Sequence, residues 1–275
     1  MKKFETFTDW TTEFSEQGFY QHLNEMVAFD EWLAWPNCKA LESLLPYDIT
    51  NLNNKSIRFV EQKPDQDFSA VAYEEVIYET GNVPTRSESW HDLFGALIWC
   101  LFPQTKAKLN QLHYRDIQQF GKVERTKQRN ALTLFDECGV VLVTKNMELV
   151  NALREHDWAK AFIELRALWF DKSEQGIVAY QFGHANYEML TKPYIGLTGK
   201  WLWVDASAEL SSLPLSTQYR LLDQKVTAKL MQGELEDNSN MYPLPLLGVP
   251  GWYDGNEDES FYENTDYFRP KRKKA

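Results

Sequence analysis

What this chain has little of narrows its class. Only three cysteines occur in 275 residues: Cys38, Cys100 and Cys138. They are odd in number, far apart and form no Cys-x-x-Cys. That fits reduced thiols in a cytoplasmic setting better than a disulfide framework or a cysteine zinc site. The longest apolar run, Leu93 to Phe102, is about half of the roughly 20 residues that a membrane span needs. The first residues, MKKFETFTDW, carry two lysines with no apolar stretch behind them, so no secretory signal is expected. Positive charge is in deficit. The formal net charge of -11 disfavours nucleic acid as a partner and favours solubility. The GxSxG, HExxH and GxGxxG signatures are also missing. Gly196-Leu-Thr-Gly-Lys200 is a poor phosphate loop: two residues separate its glycines where four are needed, and Trp201 follows the lysine. His91-Asp92 lacks the upstream histidine of a His-Asp phosphohydrolase, because only His22 precedes it.

What is present suits one globular unit. Hydrophobic content is 43% and charged content 25%, an ordinary balance for a chain long enough to bury a sizeable core. Ten tryptophans are spread from Trp10 to Trp252 without a repeat. The chain is organised around Glu79–His113. Gly81-Asn82 reads as a turn, and Pro84 pushes Val83 into an extended conformation. Ser87 or Ser89 caps a helix in which Leu93, Phe94, Leu97, Ile98, Leu101 and Phe102 recur at three- and four-residue spacing. Such a helix is buried nearly all round. Pro103 ends it and suits the first turn of a second helix, where Lys106, Asn110 and His113 share a polar face.

Elsewhere, residues 1–46 read as short aromatic-rich helices. Ser56–Glu61 and Val71–Glu79 read as a hairpin whose loose connection contains Pro64 and Asp65. Gln118–Arg129 reads as an exposed loop, Val140–Val143 as a buried strand, and Met147–Leu153 and Trp158–Phe170 as helices. Strands are expected at Ile177–Phe182 and Lys200–Asp205, with a short helix from His184 to Pro193 and a longer one over Ser216–Met231, capped by Ser216. The segment from Tyr242 to Trp252 is proline-rich and reads as an extended strap. The basic end, from Arg269 to Ala275, reads as a solvated, disordered tail. The expected fold is therefore α+β: one helix-rich domain over 1–268 with a small mixed sheet in a core spanning 56–232, and a C-terminal Pro-rich strap over 240–268.

Three histidine or acid pairs could carry chemistry. His91 and Asp92 open the buried helix. The dipole there favours the carboxylate and disfavours a charged imidazole. Asp136 and Glu137 are adjacent acids on an otherwise apolar segment, where unpaired burial is costly. His184 and Glu188 lie one helical turn apart, a spacing that suits co-ligands or a proton pair. Arg86, just ahead of His91, has the planar fork of an anion clamp. Caps and salt bridges are the structural alternative for every one of these groups.

Taken together, GNVPTRSESWHDLFGALIWCLFPQTKAKLNQLH, RNALTLFDECG, FGHANYE with GLTGK, and PLPLLGVPGWYDGNEDESFY resemble a bacterial family known as domain of unknown function 3025. The resemblance covers most of the chain from about Tyr73 onward. It implies a proteobacterial, cytoplasmic protein and supplies no activity, cofactor or catalytic residue. Gly95 stands where Asn is expected after Leu-Phe, and Asn130 where Asp is expected after Arg129. Neither can be an indispensable group if the family shares one reaction.

Two functional readings follow. One is a hydrolase-type enzyme in which His91, Asp92, Glu137, His184 and Glu188 are catalytic, and Arg86, Lys106, Asn110 and His113 hold a small molecule. Its metal content stays open, and a divalent cation would suit these ligand types. The other is a non-catalytic interaction module that uses an aromatic surface or the strap to bind another protein. Oligomeric state is open under both.

Overall fold

The structure, a computed structural model, describes residues 5–63 and 70–271. It is helix-rich with two small sheets, an α+β arrangement. Helices α1 (Gln21–Val27) and α2 (Cys38–Glu42) lie in the N-terminal segment. Strand β1 (Arg58–Glu61), helix α3 (Ala70–Thr80) and strand β2 (Asn82–Thr85) follow. Helices α4 (Trp90–Leu101), α5 (Pro103–Phe120) and α6 (Lys127–Cys138) lead into strand β3 (Gly139–Val143). The rest comprises α7 (Met147–Glu155), β4 (Val178–Gln181), α8 (His184–Leu190), β5 (Thr198–Val204), α9 (Leu215–Met231) and β6 (Tyr242–Pro245). No helix among the described residues is long and apolar enough to cross a membrane.

The larger sheet has the order β4-β3-β5-β6. Strand β3 runs parallel to β5, with Val141 opposite Leu202, and antiparallel to β4. Every residue of β3 is buried, which is why it reads as an unbroken apolar run. Strand β6 lies at the edge beside β5, where Pro243 and Pro245 are tolerated. The proline-rich segment is extended over Tyr242–Pro245 only. It is an edge strand followed by a 3-10 turn, with Leu244, Leu246 and Leu247 buried. Asn256 Nδ2 donates to the carbonyls of Leu247 and Val249, and Tyr267 Oη to that of Leu197, so the end of the chain is knitted to the sheet. The described part of the basic tail is also tied down: the Arg269 carbonyl accepts from Trp158 Nε1, and Lys271 pairs with Glu155. Residues 272–275 lie outside the described residues.

The expected hairpin does not form. Val71–Glu79 belongs to α3, and β1 pairs in parallel with β2, which had read as a turn and loop. A short apolar run fits helix or strand by pattern alone. Here distant groups favour the helix: Asn51 Nδ2 donates to the carbonyls of Ile77 and Tyr78, and Gly81 at φ +80° ends the helix as only glycine does readily. The connection holding Pro64 and Asp65 lies outside the described residues. Gln118–Phe120 and Lys127–Arg129 are helical, so of the expected loop only Gly121–Thr126 remains, as the link between α5 and α6. The stretch from Trp158 to Phe170 is not one helix but a π-turn over Lys160–Glu164 and a 3-10 turn over Arg166–Trp169. Pro214, not Ser216, precedes α9, and its carbonyl accepts from Thr217 and Gln218.

Helix α4 is capped by Ser89, whose hydroxyl accepts from Asp92 N, and Pro103 opens α5. The tryptophans explain how α4 is seated. Trp90 packs against Trp10 and Trp35 at centroid distances of 5.1 and 4.4 Å, and its Nε1 donates to the Phe7 carbonyl. Further along, Phe94 stacks on Tyr187 of α8 at 5.4 Å. Asp223 of α9, buried, accepts from Gln104 N and Thr105 N at 2.9 and 2.7 Å and so caps α5 from another helix. Gly183 lets the start of α8 touch the end of α6. A Cβ there would sit 2.4 Å from the Glu137 carbonyl oxygen and 2.5 Å from Gly139 N. Gly183→Ala should therefore cost about 1–3 kcal/mol, as overpacking does. Urea unfolding checks this; an unchanged midpoint would show that the contact relaxes freely.

Candidate active site

The groups singled out in the sequence are carried by α4, α5, α6 and α8, which surround a cavity of about 580 Å³. Its volume falls within the range of small-molecule sites. His91 projects from the first turn of α4, and its Nδ1 lies 3.1 Å from Glu188 Oε2. His91 Nε2 lies 3.0 Å from His184 Nε2, with the rings nearly perpendicular at 76°. His184 Nδ1 faces Asp136 Oδ2 at 3.8 Å. Asp136 in turn accepts from Lys106 Nζ at 2.6 and 2.9 Å. Glu188, His91, His184, Asp136 and Lys106 thus form one continuous chain drawn from four helices.

Local sequence explains the placement. His184 and Glu188 lie four positions apart on α8, about one turn, so both point toward α4. Gly95, one turn beyond His91, leaves its side open: a Cβ there would lie 4.0 Å from His184 Cδ2. Lys106, although buried, is matched by Asp136 and lies 5.6 Å from the Trp99 ring centroid. His113 is also buried, lines the cavity and makes no hydrogen bond to another described residue.

Other expected residues have different employment. Asp92 accepts from the Arg86 backbone N at 2.6 Å and from Arg86 Nε and Nη2 at 2.9 and 2.8 Å. The Arg86 fork is therefore spent on fixing its own loop to α4. Both residues still line the cavity. Asn110 donates to the carbonyl and the carboxylate of Glu74, so it joins α5 to α3 and is not among the cavity-lining residues. Glu137 lines the cavity with no hydrogen bond to another described residue and is exposed. Lys106, Asn110 and His113 do share a helix face, as their spacing indicates, but the face is buried.

Several wall residues were not singled out in the sequence. Tyr73 lies on α3 where its pattern suggests a strand, and burial together with Glu74, Asp92 and Asp136 pushes its hydroxyl well above the ordinary value. Arg129, Thr133 and Asp136 recur at i, i+4 and i+7 on α6, a spacing that would have placed them together had the segment been read as helix from Lys127.

The electrostatics separate the two imidazoles. Burial alone would lower His91, but its hydrogen bond to Glu188 and the charges of Glu188 and Asp92 outweigh that and raise it. Burial pushes His184 down to about 4, against the pull of Asp136. Burial would raise Asp136, but Lys106 and His184 together hold it below the usual carboxylate range. Partial desolvation against the cavity wall, with Asp136 alongside, raises Glu137 even though it reaches solvent, and the charges of His91 and Arg125 oppose the rise. A carboxylate at Glu188 fixes a proton on His91 Nδ1. When His91 is neutral, its Nε2 accepts from His184 Nε2–H, leaving the buried His184 Nδ1 without a donor; it has no hydrogen-bond partner. When His91 is charged, its Nε2–H donates instead. The His184 proton then sits on Nδ1, facing Asp136, and the unmatched group is eased. One proton thus reverses the sense of the whole chain.

Among the described residues no group of three or more His, Cys, Asp or Glu is arranged to hold a metal ion. The site defines a class, an α+β protein with a polar cavity closed by a histidine–carboxylate chain. The chain belongs to the family described as a protein of unknown function, DUF3025, whose model matches residues 57–272. All the cavity residues named above fall inside that range. Neither a curated protein nor a solved structure matches the chain.

Two outcomes test the electrostatics. Asp136→Asn leaves Lys106 buried without its partner and should cost about 3–5 kcal/mol; adding Lys106→Met should recover part of it. A double-mutant cycle in urea measures the coupling, and additive losses would deny it. His91, followed by NMR, should titrate above the ordinary value of about 6.5. Because its folded value is raised, protonated His91 adds stability below that ordinary value, and the contribution is lost as pH rises through the folded one. Glu188→Gln should lower the titration midpoint and flatten this dependence; an unmoved midpoint would contradict the pairing.

Proposed function

We propose that this protein is an enzyme of general acid–base type, acting hydrolytically on a small polar molecule held in the cavity between α4, α5, α6 and α8. The observation that carries this reading is the 3.0 Å contact between His91 Nε2 and His184 Nε2, with a carboxylate behind each ring, on the wall of a cavity. Structural histidines seldom need both a partner imidazole and separate acids, whereas titratable groups whose proton affinities are pushed apart are the ordinary means of running acid and base chemistry together.

In this reading His91, with its raised proton affinity, is the general acid. A leaving group that takes the place of His184 at Nε2 receives the proton the rings now share. Glu188 fixes the His91 ring and steadies its charge. Glu137 is the general base for water: it is free of hydrogen bonds to described residues, and its raised proton affinity makes it a better base than an ordinary carboxylate. His184, Asp136 and Lys106 are positioning residues that keep the pair oriented. Asp92 holds the Arg86 loop. The interaction-module alternative, which would use an aromatic surface or the strap, has less support, because the proline-rich segment of the strap is packed into the sheet.

The test is turnover of a panel of chromogenic esters, amides and phosphoesters, with the metal content of the purified protein measured by elemental analysis. Any substrate turned over by the wild type should lose about 10²–10⁴-fold in rate with His91→Ala and with Glu137→Gln, the usual contribution of acid–base groups. Rates unaffected by both substitutions would sink the reading.

A further inference from the structure

The cavity has a second end, away from the imidazoles. Helix α6 carries Arg129, Thr133 and Asp136 along one face of its wall. Arg129 is 3% exposed. Its Nε donates to Asp116 at 2.8 Å, its Nη2 to Asp116 and to the Gly121 carbonyl, and Thr126 Oγ1 also donates to Asp116. Yet Arg129 Nη1, also buried, has no partner. A buried guanidinium N–H left unmatched is costly, and native structures rarely leave one so. Beside it, Arg125 also lines the cavity. Its Nη2 donates to Thr133 Oγ1 at 2.5 Å, and the Thr133 hydroxyl is itself anchored on the Arg129 carbonyl at 3.0 Å. No carboxylate among the described residues pairs with Arg125. Lys122, also on the wall, is paired with Glu75. An oriented arginine without an acid and a buried arginine with a spare donor therefore share one wall of a chain whose net charge is -11.

We propose that this end is an oxyanion-binding subsite, and that the molecule the cavity accepts is a small compound carrying a phosphate or carboxylate group. Asp116 already balances the charge of Arg129, so Arg125 supplies the attraction and Arg129 Nη1 the directed hydrogen bond. Planar forks of this kind suit oxyanions of either sort. The helix also sets the distance. Arg129 lies seven positions from Asp136, roughly 10 Å at 1.5 Å per residue, and Thr133, which holds Arg125, lies three positions from Asp136, roughly 4.5 Å. A ligand anchored at the arginines would reach His91 and His184 with its far end. That last step rests on the acid–base reading above; the anion subsite itself does not.

The test is isothermal titration calorimetry on the full chain at low ionic strength, with inorganic phosphate and separately with succinate as probes. At least one should bind saturably at one site per chain. Phosphate alone would identify a phosphate-bearing ligand, succinate alone a carboxylate-bearing one, and both the shared chemistry. Arg125→Ala, an exposed change, should weaken binding about tenfold, and Arg129→Lys, which keeps the charge opposite Asp116 but loses Nη1, by a similar factor. Circular dichroism confirms that each variant folds; if Arg129→Lys does not, Arg125→Ala alone decides. His184→Ala should leave affinity within about twofold, so failure of the catalytic reading and failure of this one remain distinct. The proposal is overturned if neither probe binds, if Arg125→Ala binds as the wild type does, or if His184→Ala alone abolishes binding.

Discussion

Two helix ends meet without room for a side chain, and the site depends on that approach. Gly183 sits against the last carbonyls of α6, and its N–H donates to the Gly139 carbonyl at 2.8 Å. Phe182, just before it, stacks on Phe135 of α6 at 4.6 Å. The strand β3 that begins at Gly139 is in turn held by β4 and β5. Sheet pairing therefore fixes the end of α6, the glycine fixes the start of α8 against it, and His184 has nowhere to go but beside Asp136. Side-chain chemistry here follows from backbone packing, as it must when a functional group has to be held to within fractions of an ångström.

The arrangement carries a cost that packing alone would not choose. Lys106, Asp136 and His184 lie in a region otherwise filled by α4, one of the most apolar helices in the chain. Replacing a buried ion pair with apolar residues is often neutral or stabilising, so such a pair is weak evidence for a stabilising role. His184 Nδ1 and Arg129 Nη1 are two of several buried polar atoms without a hydrogen-bond partner among the described residues. Both belong to walls of one cavity, and a polar ligand or water there would supply what the protein omits.

The sequence made the helical scaffold of the site legible but not its wiring. Ser89, Pro103 and the three- and four-residue spacing from Leu93 to Phe102 carry enough local signal to locate α4 and the start of α5. His184 and Glu188 disclose their shared face in the same way. That His91 would meet Glu188, 97 positions away, is set by the stacking of Phe94 on Tyr187 and has no local signal. The segment YEEVIYE was misread because its short apolar pattern fits strand as well as helix, and the groups that decide the matter, Asn51 and Gly81, lie outside it. That error hid β2 and with it Tyr73. Treating residues up to Arg129 as loop hid the α6 face in the same manner, because periodicity is visible only once the helix start at Thr126 is recognised.

Charge distribution gives the cavity its remaining character. The chain as a whole repels anions, and among the exposed arginines of the described residues Arg58 and Arg86 find carboxylates, whereas Arg115, Arg125, Arg220 and Arg269 do not. Arg125 is held by a hydroxyl instead, and Thr133 can hold it only because one turn of α6 places that hydroxyl over the Arg129 carbonyl. An exposed arginine without an acid partner leaves net positive charge at that part of the cavity rim. The carboxylates at the other end, Asp136 and Glu137, oppose it: one is neutralised by Lys106, the other is not. A dipolar cavity results, positive toward the start of α6 and negative or titrating toward its end. On the proposed reading, such a field would orient a polar guest end to end, with its anionic group at the arginines and its neutral or leaving end against the imidazoles. Of the groups that create this field, Arg129 and Asp136 are fixed by α6 and by their pairs with Asp116 and Lys106, whereas Arg125 lies in the link before α6 and is held by the Thr133 hydroxyl.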